Sequence, residues 1–143
     1  MKAQRSPQPH VFVVDDEMRP AERTRRLLKR TFSVTMSVDP EAALEQLAHG
    51  SPSSPVDVVI ADVTMSPLTG PQLHERAVKA QPGLEGRFVF TAGGVISEGM
   101  KLFLDELPRG RLLHKPFTPA ELHAAVQHVL LSRGLRRGAP RAG

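Results

Sequence analysis

The chain has 143 residues, a formal net charge of +4 and no cysteine, which suits one domain with a substantial core and excludes disulfides, thiolate metal sites and cysteine nucleophiles. Six of the 19 basic residues (Lys2, Arg5, Arg133, Arg136, Arg137 and Arg141) fall in the Pro-, Gly- and Arg-rich ends, so 13 face 15 acidic residues between them and the body carries about −2. A nucleic-acid binder wants a basic stripe on its folded body, with interleaved aromatics where single strands are bound; the chain lacks Trp and Tyr, and no direct nucleic-acid binding is expected.

Residues 1–9 lack an apolar leader core, and no stretch approaches the length of a membrane span, so the expectation is a cytoplasmic protein without membrane insertion. Residues 1–9 read as a mobile tail, 10–132 as one domain, and 133–143 as a mobile basic tail.

The first strand is predicted over 10–15, where Val11-Phe12-Val13-Val14 runs into the acidic pair Asp15-Asp16. The helix after it carries Arg19, Arg23, Arg26 and Arg30 on one face. A second strand over 33–38 leads to Asp39-Pro40, an N-cap acid followed by proline at the first helical position. After the break at 50–55, the apolar run of 56–62 ends in Asp62. A third helix is predicted from about Gly70-Pro71 with Leu73, Ala77 and Val78 inward, then a fourth strand over 86–91 that ends in Thr91. The fourth helix is predicted over 96–107, with an apolar face broader than one core stripe and thus partly available to a partner. A fifth strand over 111–114 runs into Lys115, and Thr118-Pro119-Ala120-Glu121 signs the last helix with a capping box. Leu122, Ala125, Val126, Val129 and Leu130 mark its buried face.

This alternation predicts an α/β fold, a parallel sheet buried on both faces. Ligands of such sheets bind outside the carboxyl ends of the strands. There the chain gathers three carboxylates, a hydroxyl and an ammonium. So much negative charge needs a cation, a raised pKa or both, and Mg2+ (or Mn2+) is a suitable hard ion because it accepts carboxylates and leaves room for a phosphate oxygen.

Val13-Val14-Asp15-Asp16-Glu17, Val59-Ile60-Ala61-Asp62-Val63-Thr64-Met65 with Gly70 eight residues after Asp62, Phe90-Thr91-Ala92, and Lys115-Pro116-Phe117 stand in one order at near-family spacing. On these motifs residues 10–131 resemble the receiver domain of bacterial response regulators. The resemblance implies a flavodoxin-like fold, five parallel strands in the order 2-1-3-4-5 with five helices. It implies that Asp62 is the phosphoacceptor for a histidine kinase or a histidine phosphotransfer protein. Asp15, Asp16, Asp62 and the Thr64 carbonyl would be metal ligands, and Lys115 and Thr91 partners of the phosphoryl oxygens. Ala92 would leave an entry path, and Lys115-Pro116 matches a peptide bond often cis in the family.

Departures from the pattern are as informative. Leu112 stands where receivers usually carry a swinging Tyr or Phe, and the proline expected four residues after Asp62 is displaced by one, to Pro67. Thr64 and Gly93 occupy positions that tune dephosphorylation in the family, and the small Gly93 implies a short-lived aspartyl phosphate. The arginine face of the first helix is a candidate docking surface for the phosphodonor, with charge reversal at Arg23 and Arg26 expected to slow only kinase-driven transfer.

The expected function is therefore that of a signalling phosphoacceptor, not an enzyme with turnover, answering phosphorylation by a changed surface shown to an unknown downstream protein, since no output domain follows residue 133. The receiver of a hybrid histidine kinase, or a pseudo-receiver that binds without phosphorylation, are the alternatives. A haloacid-dehalogenase-type phosphatase would need a second Asp where Thr64 stands, and a dinucleotide enzyme would need a G-x-G-x-x-G after the first strand, which is absent.

Overall fold

The computed structural model describes residues 8–141, with side chains up to 132. Residues 1–7 and 142–143 and the side chains from 133 onward lie outside the described residues; the N-terminal tail read from the sequence falls mostly among them, whereas the backbone of 133–141 in the C-terminal one is described. Five strands, β1 (His10–Val14), β2 (Ser33–Ser37), β3 (Val58–Asp62), β4 (Phe88–Ala92) and β5 (Leu112–His114), form one parallel sheet in the order β2-β1-β3-β4-β5. Five helices intervene: α1 (Met18–Leu28), α2 (Pro40–His49), α3 (Gly70–Ala80), α4 (Glu98–Asp105) and α5 (Pro119–Arg141). The expected topology is the observed one.

Side-chain alternation along the strands divides the core into two layers. Phe12, Val14, Val59, Ala61, Phe88 and Phe90 face one side and meet Ala43 and Leu47 of α2, Leu73 and Ala77 of α3, and Leu104 of α4. Val11, Val13, Val58, Ile60, Val89 and Leu113 face the other and meet Leu28 of α1 and Leu122, Val126 and Val129 of α5. The three inner strands are buried on both faces, which is why their sequences read as continuous apolar runs.

Helix starts follow local chemistry. Asp39 caps α2 by accepting from the Glu41 and Ala42 amides, and Thr118 and Glu121 exchange the two bonds of a capping box at α5. A second capping box, Thr69 with Gln72, starts α3. α4 is shorter than the predicted 96–107: Ser97 caps it, accepting from the Met100 amide, while Ile96 and Leu107 pack on the core from outside the helix. Met100, Phe103 and Leu104 turn inward, whereas Leu102 is 69% exposed. α5 is helical to Arg141, beyond the apolar pattern that ends near Leu130. No helix among the described residues is long and apolar enough to cross a membrane.

His74 of α3 lies in an aromatic nest, edge-on to Phe88 at 4.8 Å between ring centroids and near Phe90 and Phe103. Burial pushes its pKa below the ordinary 6.5, against the opposing pull of Glu85 and Glu75. The native protein thus binds fewer protons than the unfolded chain once the pH falls under 6.5, and stability declines as the pH drops through that window. His74→Leu should shrink the difference in thermal midpoint between pH 7 and pH 5; an undiminished difference would contradict the assignment.

Candidate functional site

The carboxyl ends of β1, β3, β4 and β5 open into a cavity of about 970 Å3, lined among others by Asp15, Asp16, Asp62, Thr64, Thr91 and Lys115. The residues named from the sequence as phosphoacceptor, metal ligands and phosphoryl partners all line this one cavity. A second cavity, of about 860 Å3, lies under the 50–55 loop at the opposite end of the sheet. It lacks a comparable cluster of carboxylates, and His10 on its wall has both ring nitrogens within hydrogen-bond distance of Ser54 and Thr35.

Lys115 organises the site. Its Nζ donates to Asp62 Oδ2 at 2.9 Å and to Asp15 Oδ2 at 3.2 Å, bridging strand ends 53 and 100 residues away along the chain. Both acids are mostly buried, Asp15 at 5% and Asp62 at 8% exposure. Each also turns its other oxygen toward the loop that follows it: Asp15 Oδ1 accepts from the Glu17 amide, and Asp62 Oδ1 from the Thr64 amide. The carboxylates are therefore aimed by backbone donors as well as by the ammonium.

The electrostatics are uneven across the bridge. Burial pushes the Asp15 carboxyl above its ordinary value; the Glu17 amide and Lys115 oppose this, while the Asp62 charge adds to it. Burial also pulls the Lys115 ammonium down, but its bonds to Asp62 and the charges of both acids outweigh that, so its pKa is raised. One cation is shared by two acids, and burial still disfavours the charged form of Asp15.

Asp16, half-buried, reaches across to the loop after β3, where its Oδ2 accepts from the Ser66 amide at 3.1 Å. In this arrangement no three acidic or histidine side chains gather around a common point among the described residues. Asp15 and Asp62 converge on the Lys115 ammonium and Asp16 is drawn toward Ser66. Even so, the donor set fits a hard divalent cation: two carboxylates already converge on a positive charge, and a third lines the same cavity.

Thr91 pairs in register with Asp62 on the neighbouring strand and is buried at 3% exposure. Thr64 is exposed on the rim. Gly93 lies against the lysine stem: a Cβ there would sit 3.1 Å from Lys115 Cβ. The Lys115–Pro116 peptide bond is cis, the state often found at the matching bond, and Ser66–Pro67 is cis as well.

Sequence reasoning missed two partners. One is the Ser66 amide, a backbone group in the loop where the proline is displaced. The other belongs to Arg23, which the sequence placed with the other arginines of the first helix on a candidate donor-docking face. Its Nη2 donates to the Phe117 carbonyl at 3.2 Å and its guanidinium lies 5.4 Å from the Phe117 ring centroid. No local signal links residues 94 positions apart.

The family model for the response regulator receiver domain matches residues 11–127. Among solved structures, a response regulator receiver protein from Sinorhizobium medicae is 26% identical, with a TM-score of 0.71, and the match covers 88% of this chain and 97% of that one. A receiver domain protein from Clostridium thermocellum (22% identity, TM-score 0.74, 89% and 98% covered) shares the fold. So does the Vibrio cholerae chemotaxis protein CheY4 (23% identity, TM-score 0.69, 86% and 99% covered). No curated protein matches significantly.

Proposed function

The chain belongs to the response regulator receiver domain family, and from that premise we propose that it takes a phosphoryl group onto Asp62 from a histidine kinase or a histidine phosphotransfer protein and then presents a changed protein-binding surface. Phosphorylation-dependent switching in two-component signalling is the general function of the family, which consists of signalling phosphoacceptors and not of classical enzymes. The observation that carries the reading is the single ammonium of Lys115 held between Asp62 and Asp15 in the cavity at the strand ends.

In the proposed step an Asp62 oxygen attacks the phosphorus of a phosphohistidine. An O–P bond forms as the P–N bond breaks, and the departing imidazole nitrogen keeps the electron pair and takes a proton from solvent. Asp62 is held ready by the Thr64 amide on one oxygen and by Lys115 on the other. Lys115 follows the transferred group as a point charge on a phosphoryl oxygen, and the Thr91 hydroxyl bonds another in this reading. Receiver domains typically bind Mg2+ in the acidic pocket; Asp15, Asp16, Asp62 and the Thr64 carbonyl would hold it here, and when bound it offsets the repulsion between the carboxylates and the incoming phosphoryl group. The added charge of nearly two units, beside Thr91 and the loop leading to α4, supplies the change that a downstream protein reads.

Incubated with acetyl phosphate and Mg2+, the chain should take up one phosphoryl group that neutral hydroxylamine removes, the signature of an acyl phosphate. A label that resists hydroxylamine would place the group on a hydroxyl and contradict the reading.

The exposed Arg26 and Arg30 on and just beyond α1 form the donor-docking face in this reading. Reversing both to glutamate should slow transfer from a histidine kinase by on the order of tenfold and leave the acetyl phosphate rate within about twofold, since rim charges act on encounter. Equal loss with both donors would contradict the docking role. Arg23, expected from the sequence to serve alongside Arg26, is exposed as well and also engages Phe117.

A further inference from the structure

We propose that Arg23 is a positioning residue for Lys115, a strut from α1 that fixes the segment carrying the lysine over the two acids; the inference rests on the reading of Asp62 as the phosphoacceptor. Lys115, Pro116 and Phe117 cross from β5 to the cap of α5. The segment is fastened at its start by the Lys115 amide, which donates to the Ala92 carbonyl at 2.8 Å, and at its end by the Thr118 capping box. Between these points the Phe117 carbonyl lies just ahead of the cap. Arg23 satisfies it while stacking its cation on the Phe117 ring. That ring is buried in the layer formed by α1 and α5, so the strut has a firm anchor.

The other end of the strut is equally defined. α1 starts at Met18, immediately after Asp15, Asp16 and Glu17, and Ala21, Thr24 and Leu28 bury its inner face. Arg23 therefore ties the element that follows the acidic pair to the segment that carries their cation. Arg23, Phe117, Lys115 and Asp15 line the same cavity. A lysine side chain is a flexible four-carbon stem, and its ammonium is only as well placed as its backbone. Gly93 lies close against the stem, and the strut holds the segment from which the stem rises.

The test is the rate of phosphorylation by acetyl phosphate with Mg2+ on the full chain and on Arg23→Ala, Arg23→Lys, Lys115→Ala and the Arg23→Ala/Lys115→Ala pair, with thermal midpoints alongside. Arg23→Ala should slow the reaction roughly tenfold, the scale of a misplaced catalytic group. Arg23→Lys, which restores a cation over the ring, should recover part of it. In the Lys115→Ala background the Arg23→Ala change should cost less than about twofold, because a residue acting through Lys115 has nothing left to position. Should Arg23→Ala fail to fold, Arg23→Gln, which keeps a donor for the Phe117 carbonyl, takes its place in the same cycle. A full effect persisting without Lys115, or an Arg23→Ala rate within about twofold of wild type, overturns the inference. A wild-type chain that accepts no phosphoryl group overturns the acceptor reading itself, and this inference with it.

Discussion

Gly70→Ala should destabilise the protein by about 2–3 kcal/mol, lowering its thermal midpoint by on the order of 10 °C. A Cβ at Gly70 would lie 2.6 Å from the Asp62 carbonyl oxygen and 2.9 Å from Val63 Cα. These neighbours are backbone, so no side chain can swing away. Gly70 opens α3, and its amide donates to the Val63 carbonyl at 3.0 Å, which seats the helix directly on the end of β3. Relief requires the helix start or the strand end to move, and moving the strand end displaces Asp62. Loss of stability and loss of phosphoryl acceptance should thus appear together in this variant. A thermal midpoint within about 2 °C of wild type would show that the contact yields at little cost and would contradict the account.

Lys115→Ala should act at the same site by charge instead of by volume. Without its ammonium, Asp15 and Asp62 face each other in a mostly buried pocket with no cation between them. Breaking a fully buried pair costs about 3–5 kcal/mol, and the partial exposure of the lysine reduces this to about 1–3 kcal/mol at pH 7. The pH dependence follows from the direction of each shift. A carboxyl raised by burial, as Asp15 is, makes the native state bind more protons than the unfolded chain above the ordinary value of 3.8, so stability falls as the pH rises through the native value. Removing the ammonium deepens that effect, and the deficit of Lys115→Ala against wild type should be largest at neutral pH and shrink toward pH 4. Lys115 itself is raised, so its contribution is complete below 10.5 and is lost as the pH rises through its native value. The phosphorylation rate should drop on the order of 10²-fold, as for loss of one preorganised donor to developing charge. A Lys115→Ala deficit that is flat from pH 4 to pH 8 would contradict the charge argument.

Much of this site was legible because strand ends are legible. Apolar runs that stop at Asp15, Asp62, Thr91 and Lys115 mark both the length of each strand and the residue left at its carboxyl end, and a parallel sheet brings those ends together whatever the intervening loops do. The extent of α4 was less legible, since Ile96 and Leu107 belong to the core without belonging to the helix. Periodicity counts burial, not hydrogen bonding. The Thr69–Gln72 capping box was present in the sequence as a T-x-x-Q signal, but Gly70-Pro71 drew attention to the helix start without its cap. The bonds from Ser66 to Asp16 and from Arg23 to Phe117 had no local signature. Each depends on a loop path or a side-chain choice fixed by packing between distant segments. The arginine face of α1 shows the consequence, because helical spacing places Arg19, Arg23, Arg26 and Arg30 alike while tertiary structure gives Arg23 a different partner.

The most direct measurement is the intact mass of the wild-type chain and of Asp62→Asn after incubation with acetyl phosphate, with Mg2+ and with a chelator. The wild-type chain should gain one phosphoryl group with Mg2+ and little or none under chelation, and Asp62→Asn should gain none under either condition. An equal gain by Asp62→Asn, or no gain by the wild-type chain with Mg2+, would contradict the assignment of Asp62 as the acceptor.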